Sequence, residues 1–120
     1  MANLVLIEDD LSVAILIGDI LTIKGHTVQT FSSASNFFAA IPQQCPTIVI
    51  SDYQLPDISI QDLFEAIQDY YSPKTPRFII ISARSRTEVP LESLYTYKPL
   101  FVEKPFSIKD FMHLVEEICS

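Results

Sequence analysis

The stretch Thr47-Ile48-Val49-Ile50-Ser51-Asp52 decides the fold. Its body is apolar on both faces, as a central strand of a parallel sheet requires, and it runs out into a carboxylate. Phe78-Ile79-Ile80-Ile81 reads the same way and is followed by Ser82. Leu4-Val5-Leu6-Ile7 is another short apolar run, ending at Glu8-Asp9-Asp10, and Leu100-Phe101-Val102 is the last, just before Glu103 and Lys104. Thr27-Val28-Gln29-Thr30-Phe31 alternates as a strand does.

Amphipathic segments separate these runs. Ser12 to Lys24 reads as a helix stopped by Gly25, a favoured residue past a helix end. Ser33 to Ile41 is a short helix closed by Pro42. In Ile60 to Tyr71 the apolar positions Leu63, Phe64 and Ile67 fall at helical spacing. Glu88 to Tyr97 is expected to form the fourth helix, with Pro90 in a first turn, where proline is tolerated. Ser107 and Asp110 resemble a capping box ahead of a final helix that buries Phe111, Leu114, Val115 and Ile118. Five strand–helix units imply an α/β fold: a flavodoxin-like (βα)5 three-layer sandwich with a parallel sheet in the order 2-1-3-4-5 and right-handed crossovers. Residues 1–120 are expected to form one domain.

Charge and composition narrow the partners. The chain carries 15 Asp plus Glu against 8 Lys plus Arg, a net charge of −7, which argues against direct binding of nucleic acid or an anionic membrane surface. With 48% hydrophobic and 19% charged residues it has the composition of a globular protein. No apolar run is long enough to span a membrane, and Met1-Ala2-Asn3 lacks the basic start of a signal peptide. Cys45 and Cys119 show no metal-ligand spacing and read as small apolar fillers; the simplest setting is a reduced, cytoplasmic one. His26 and His113 read as surface residues.

Ligands of open α/β sheets bind beyond the carboxyl ends of the strands, where the strand order switches. Here that point lies between the first and third strands, and both end in acid: Glu8, Asp9 and Asp10 from one, Asp52 from the other. Gathered carboxylates repel, so the cluster points to a cation, and an oxygen-only set left partly to water suits Mg²⁺. Ser82 and Lys104 lie at strand ends on the same rim. An aspartate can accept a phosphoryl group, and a lysine and a hydroxyl can receive that group's oxygens. The set therefore reads as an aspartyl-phosphate site: Asp52 as nucleophile, Asp9 and Glu8 holding Mg²⁺, and Ser82 and Lys104 on the phosphoryl oxygens.

The pieces Leu6-Ile7-Glu8-Asp9-Asp10, Ile50-Ser51-Asp52-Tyr53-Gln54-Leu55-Pro56, Ile80-Ile81-Ser82-Ala83 and Phe101-Val102-Glu103-Lys104-Pro105-Phe106, together with Gly25-His26-Thr27-Val28, resemble a bacterial response-regulator receiver domain along essentially the whole chain. The resemblance implies that Asp52 takes a phosphoryl group from a histidine kinase or phosphotransfer protein, and that the chain catalyses only its own phosphorylation and dephosphorylation. It implies Asp9 as a direct Mg²⁺ ligand, Glu8 as a ligand through water, and the backbone carbonyl of Gln54 as a further one. Ser82 becomes the switch hydroxyl and Phe101 the switch aromatic, while the side chains of Gln54 and Arg84 occupy positions that tune dephosphorylation. The output is a partner-binding surface or a fused output domain, this chain being either self-sufficient or the N-terminal receiver of a longer regulator.

Three positions depart from the family pattern. Asp57-Ile58-Ser59-Ile60 lacks the usual glycine, Tyr97-Lys98 replaces the usual Gly-Ala before the last strand, and Pro90 sits at the start of the fourth helix. They motivate an alternative, a receiver-like module that docks without phosphorylation. A phosphohydrolase is disfavoured because Gln54 stands where such enzymes place a second Asp, and Gly18 and Gly25 are too few for a glycine-rich nucleotide loop. The first helix carries more apolar residues than one buried face needs, so it is either a docking surface for a phosphodonor or a helix well covered by its neighbours.

Overall fold

The computed structural model describes residues 2–119. The order is β1 (Asn3–Ile7), α1 (Leu11–Ile23), β2 (Thr27–Phe31), α2 (Ala34–Ala39), β3 (Ile48–Asp52), α3 (Ile60–Tyr71), β4 (Arg77–Ser82), two 3₁₀ segments (Arg86–Glu88 and Leu91–Tyr97), β5 (Leu100–Glu103) and α4 (Ile108–Cys119). The strands form one sheet, β2-β1-β3-β4-β5, with every neighbouring pair parallel, as the sequence implies.

Alternation along the strands splits the interior into two layers. Val5, Ile7, Val49, Phe78 and Ile80 point to one face, where Phe37 of α2 and Leu63, Phe64 and Ile67 of α3 cover them. The rings of Phe64 and Phe78 stack there at 4.1 Å between centroids. Leu4, Leu6, Ile48, Ile50, Ile79 and Ile81 point to the other face, under Ile17 and Leu21 of α1 and Phe111 and Val115 of α4. Central strands covered on both sides must be apolar throughout, which is why β3 is buried along its whole length.

Helix ends follow local chemistry. Asp10 caps α1, its carboxylate accepting from the N–H groups of Ser12 and Val13 at 3.0 and 3.3 Å. Gly25 ends that helix with φ 95°, the left-handed conformation glycine adopts without strain. α2 is shorter than the expected Ser33–Ile41: Ser33 is its cap, accepting from Asn36 N–H, and helix ends at Ala39. Ile41 precedes Pro42, whose ring disfavours helical geometry in the residue before it.

The expected fourth α-helix over Glu88–Tyr97 does not form. Pro90 lacks an N–H and divides the segment into two 3₁₀ turns; Ser93 folds back with both its N–H and its hydroxyl donating to Pro90 C=O, at 3.2 and 2.8 Å. Arg86 fastens the first turn to β5: its N–H donates to Glu103 Oε1 at 2.9 Å, and its guanidinium lies 5.6 Å from the centre of the Phe101 ring. Lys98 takes the left-handed conformation, with φ 49° and ψ 50°.

His26 also departs from its expected surface place: it is half-buried, and its Nδ1 is buried without a hydrogen-bond partner. His113 is exposed, 3.2 Å from Glu117. Cys45 and Cys119 are free thiols packed at the margins of the two cores, in the filler role expected. Only Ala14, Ile17 and Leu21 of α1 are fully buried, while Leu11, Ile15, Leu16 and Ile23 are exposed, so neighbours do not cover this helix. Among the described residues, no helix is long and apolar enough to cross a membrane.

Candidate functional site

Parallel pairing carries the strand ends to one rim. Ile7 pairs with Ser51, Asp52 with Ile81, and Ser82 with Glu103. Glu8, Asp52, Ser82 and Lys104 are therefore delivered by β1, β3, β4 and β5 to the same edge.

Carboxylate oxygens of Glu8, Asp9 and Asp52 lie within 4.8 Å of one another. Glu8 is 1% exposed, Asp52 is 9% exposed and Asp9 is open to solvent. The Lys104 ammonium sits 3.4 Å from Glu8 Oε2 and 3.5 Å from Asp52 Oδ1. Glu8 Oε1 accepts from Asp10 N–H at 3.1 Å, which orients the carboxylate while Asp10 itself caps α1. The Lys104–Pro105 peptide is cis, and Lys104 N–H donates to Ser82 C=O at 2.7 Å.

The cluster holds more negative charge than one ammonium offsets. Burial, with Asp52 nearby, raises the Glu8 carboxyl to about 6 despite Lys104. Burial also holds Asp52 above the usual carboxylate range; Lys104 pulls it down and Asp9 pushes it up. Three oxygen donors, one solvent-open and two costly to ionise, fit a hard divalent cation that keeps some of its water.

Ser82 is buried, and its Oγ accepts from Arg84 N–H at 2.9 Å, leaving the hydroxyl hydrogen to donate elsewhere. Gln54 is exposed on the loop after Asp52, and the first anchor of that loop is Tyr53 N–H to Ile81 C=O at 2.8 Å. Phe101 stands apart from the acids: it is half-buried in β5 beside Ile80, on the α2–α3 side of the sheet. A cleft of about 560 Å³ opens next to Glu8 and Asp9, walled by Leu11 and Ala14 of α1 and by Asn36 and Ala39 of α2. A wider groove of about 800 Å³ runs between α1 and α4 along Ile20, Ile23, Ile108 and Met112, away from the acids.

Sequence reasoning missed Asp57. Its carboxylate reaches across to α2, accepting from Ser35 N–H and Ser35 Oγ at 2.8 Å each and from Ala34 N–H at 3.4 Å. The available signal was an acid in a glycine-free loop and two serines at a helix start, but nothing in the spacing pairs them.

Comparison with known proteins places this geometry. The chemotaxis response regulator CheY4 of Vibrio cholerae superposes with a TM-score of 0.85 at 16% identity, over 98% of each chain. The DNA-binding transcriptional regulator NtrC of Proteus hauseri is 25% identical over 114 residues, covering 95% of this chain and 24% of that protein. The transcriptional regulatory protein KdpE of Mycobacterium tuberculosis is 27% identical over 112 residues, covering 93% of this chain and 48% of that protein. The chain thus spans less than half the length of these two relatives. The family model of the response regulator receiver domain matches residues 4–116. With the sheet order and the acid-lined rim, that match establishes that the chain belongs to the response regulator receiver domain family.

Proposed function

We propose that this chain is a phosphorylation switch whose acceptor is Asp52, supplied by a histidine kinase or phosphotransfer protein. The observation that carries the reading is the buried Asp52 clustered with Asp9 and Glu8 and in reach of the Lys104 ammonium, which also touches Glu8. An Asp52 carboxylate oxygen attacks the phosphorus, and the bond to the donor's imidazole nitrogen breaks with its electron pair staying on nitrogen. Lys104 balances charge on one phosphoryl oxygen and the Ser82 hydroxyl donates to another. Asp9, Asp52, Glu8 through water and the Gln54 carbonyl would hold Mg²⁺, which would supply further charge neutralisation when bound. Bringing Ser82 toward the phosphoryl group frees space for Phe101 to turn inward, which alters the surface of the 3₁₀ segment and β5.

The exposed Leu11 of α1, which shares the cleft with Asp9, and the exposed Ile15 one turn on suit docking of the phosphodonor. Residues 1–120 act as one cytoplasmic receiver unit that catalyses only its own phosphorylation and dephosphorylation. Its output is a protein partner or a fused domain, with no direct nucleic-acid contact by this unit. Incubation with Mg²⁺ and a small phosphodonor should add one phosphoryl mass to wild type and none to Asp52→Asn; equal behaviour of the two sinks the reading. A second reading, docking without phosphorylation, draws on the loss of the fourth α-helix to two 3₁₀ turns. Partner binding and activity retained in Asp52→Asn would favour it.

A further inference from the structure

Two fixed points bracket the loop that follows the acceptor. At its start Tyr53 N–H is tied to Ile81 C=O at 2.8 Å. Four residues on, Asp57 is tied to the first turn of α2 by the three hydrogen bonds to Ser35 and Ala34. Gln54, Leu55 and Pro56 lie between, and the next polar hold is Ser59, the cap of α3. Leu55 and Ile58 rest half-buried on the core, but apolar contact is non-directional. The carboxylate supplies the directional hold, and charge-assisted bonds of this length are the stronger kind.

The same bonds complete α2. A six-residue helix is too short to persist alone. Its first four N–H groups are all met: Ala34 and Ser35 by Asp57, Asn36 by Ser33 Oγ at 3.0 Å, and Phe37 by Ser33 C=O at 3.1 Å. α2 in turn walls the cleft beside Glu8 and Asp9. One exposed carboxylate thus joins the acceptor loop to the opposite wall of the site.

We infer that Asp57 is a positioning residue for the phosphoacceptor centre, clamping the β3–α3 loop to α2 so that the Gln54 main chain is held toward the acid cluster. The inference rests on the proposed function, through Gln54 as a Mg²⁺ ligand. Unclamping the loop leaves the three carboxylates in place and loosens only the fourth oxygen.

The test is Mg²⁺ affinity of the unphosphorylated protein by calorimetry, beside thermal unfolding. Asp57→Ala is expected to bind Mg²⁺ about tenfold more weakly, the size of effect seen when a group orienting a metal ligand is lost. Asp57→Asn keeps a carbonyl acceptor for Ser35 and should recover most of the affinity. Ser35→Ala leaves Asp57 intact and attacks the clamp from its far end; it should cost about threefold, the size of one modest hydrogen bond. Adding Ser35→Ala to Asp57→Ala should cost nothing further, because the pair acts as one unit. Wild-type affinity in Asp57→Ala, or a loss that merely follows the unfolded fraction, overturns the inference while leaving Asp52 phosphorylation standing. A wild type that neither binds Mg²⁺ nor gains a phosphoryl group overturns both.

Discussion

The Nζ of Lys104 stands 3.5 Å from Oδ1 of Asp52, the side chain of the lysine being 22% exposed and that of the aspartate 12%. One ammonium on a mostly buried side chain thus holds together a carboxylate pair that would otherwise repel, since it also reaches Glu8. Replacing Lys104 by Met leaves Glu8 and Asp52 facing each other in a buried setting. In Mg²⁺-free buffer this substitution should cost about 2 kcal/mol, below the full price of an unpaired interior charge because water reaches the rim. Urea unfolding measures it, and an unchanged midpoint would mean that the ammonium holds nothing together.

Glu8 gives a pH dependence of definite sign. Its carboxyl titrates at about 6 in the folded chain against an ordinary 4.5, chiefly because it is buried. Between those values the unfolded chain binds fewer protons than the folded one, so stability falls as pH rises through the window. Below it there is no penalty; above it the penalty is complete, at about 2 kcal/mol. Without Mg²⁺, Glu8→Gln should therefore melt above wild type at pH 7 and level with it near pH 4.5. Melting curves that run parallel at all pH values would contradict the assignment.

Divalent ions should reverse that penalty. Mg²⁺ at about a hundred times its Kd should stabilise the folded chain by about 2.7 kcal/mol. The gain should shrink at pH 5, where Glu8 is largely protonated. Asp9→Asn should abolish most of it while barely changing the melting temperature without the ion, because Asp9 is exposed. Thermal melts with and without Mg²⁺ decide the matter.

Lys98 occupies a backbone position suited to glycine, with φ 49°. Left-handed geometry costs a residue with a Cβ about 1 kcal/mol, so Lys98→Gly should raise stability by roughly that amount, less the added freedom of the unfolded chain. A rise of no more than about 2 °C in melting temperature is the expected reading. A drop would show that the Lys98 side chain makes a contact of greater worth.

The strands were legible because their pattern has a single physical cause: Ile48 to Ile50 and Phe78 to Ile81 are apolar on both faces since helices cover both. The acids, Ser82 and Lys104 were legible because strand ends in a parallel sheet share one rim. The segment around Pro90 misled because Leu91, Leu94 and Tyr97 keep near-helical spacing, whereas the missing N–H and the flanking Pro99 favour tighter turns. Asp57 stayed hidden for a different reason. Its partner Ser35 is 22 positions away, and no periodicity encodes a hydrogen bond between a loop and the first turn of a distant helix.

The sheet order has a consequence for how the protein is made. Glu8 follows β1 and Lys104 follows β5, 96 positions later in the chain, with β3 and β4 between those two strands in the sheet. A nascent or truncated chain ending before β5 has Asp52 but no cation beside it, and Asp52 keeps only the repulsion of its fellow acids. On the proposed function, competence to take up a phosphoryl group waits until β5 docks, so a complete sheet comes before any signal.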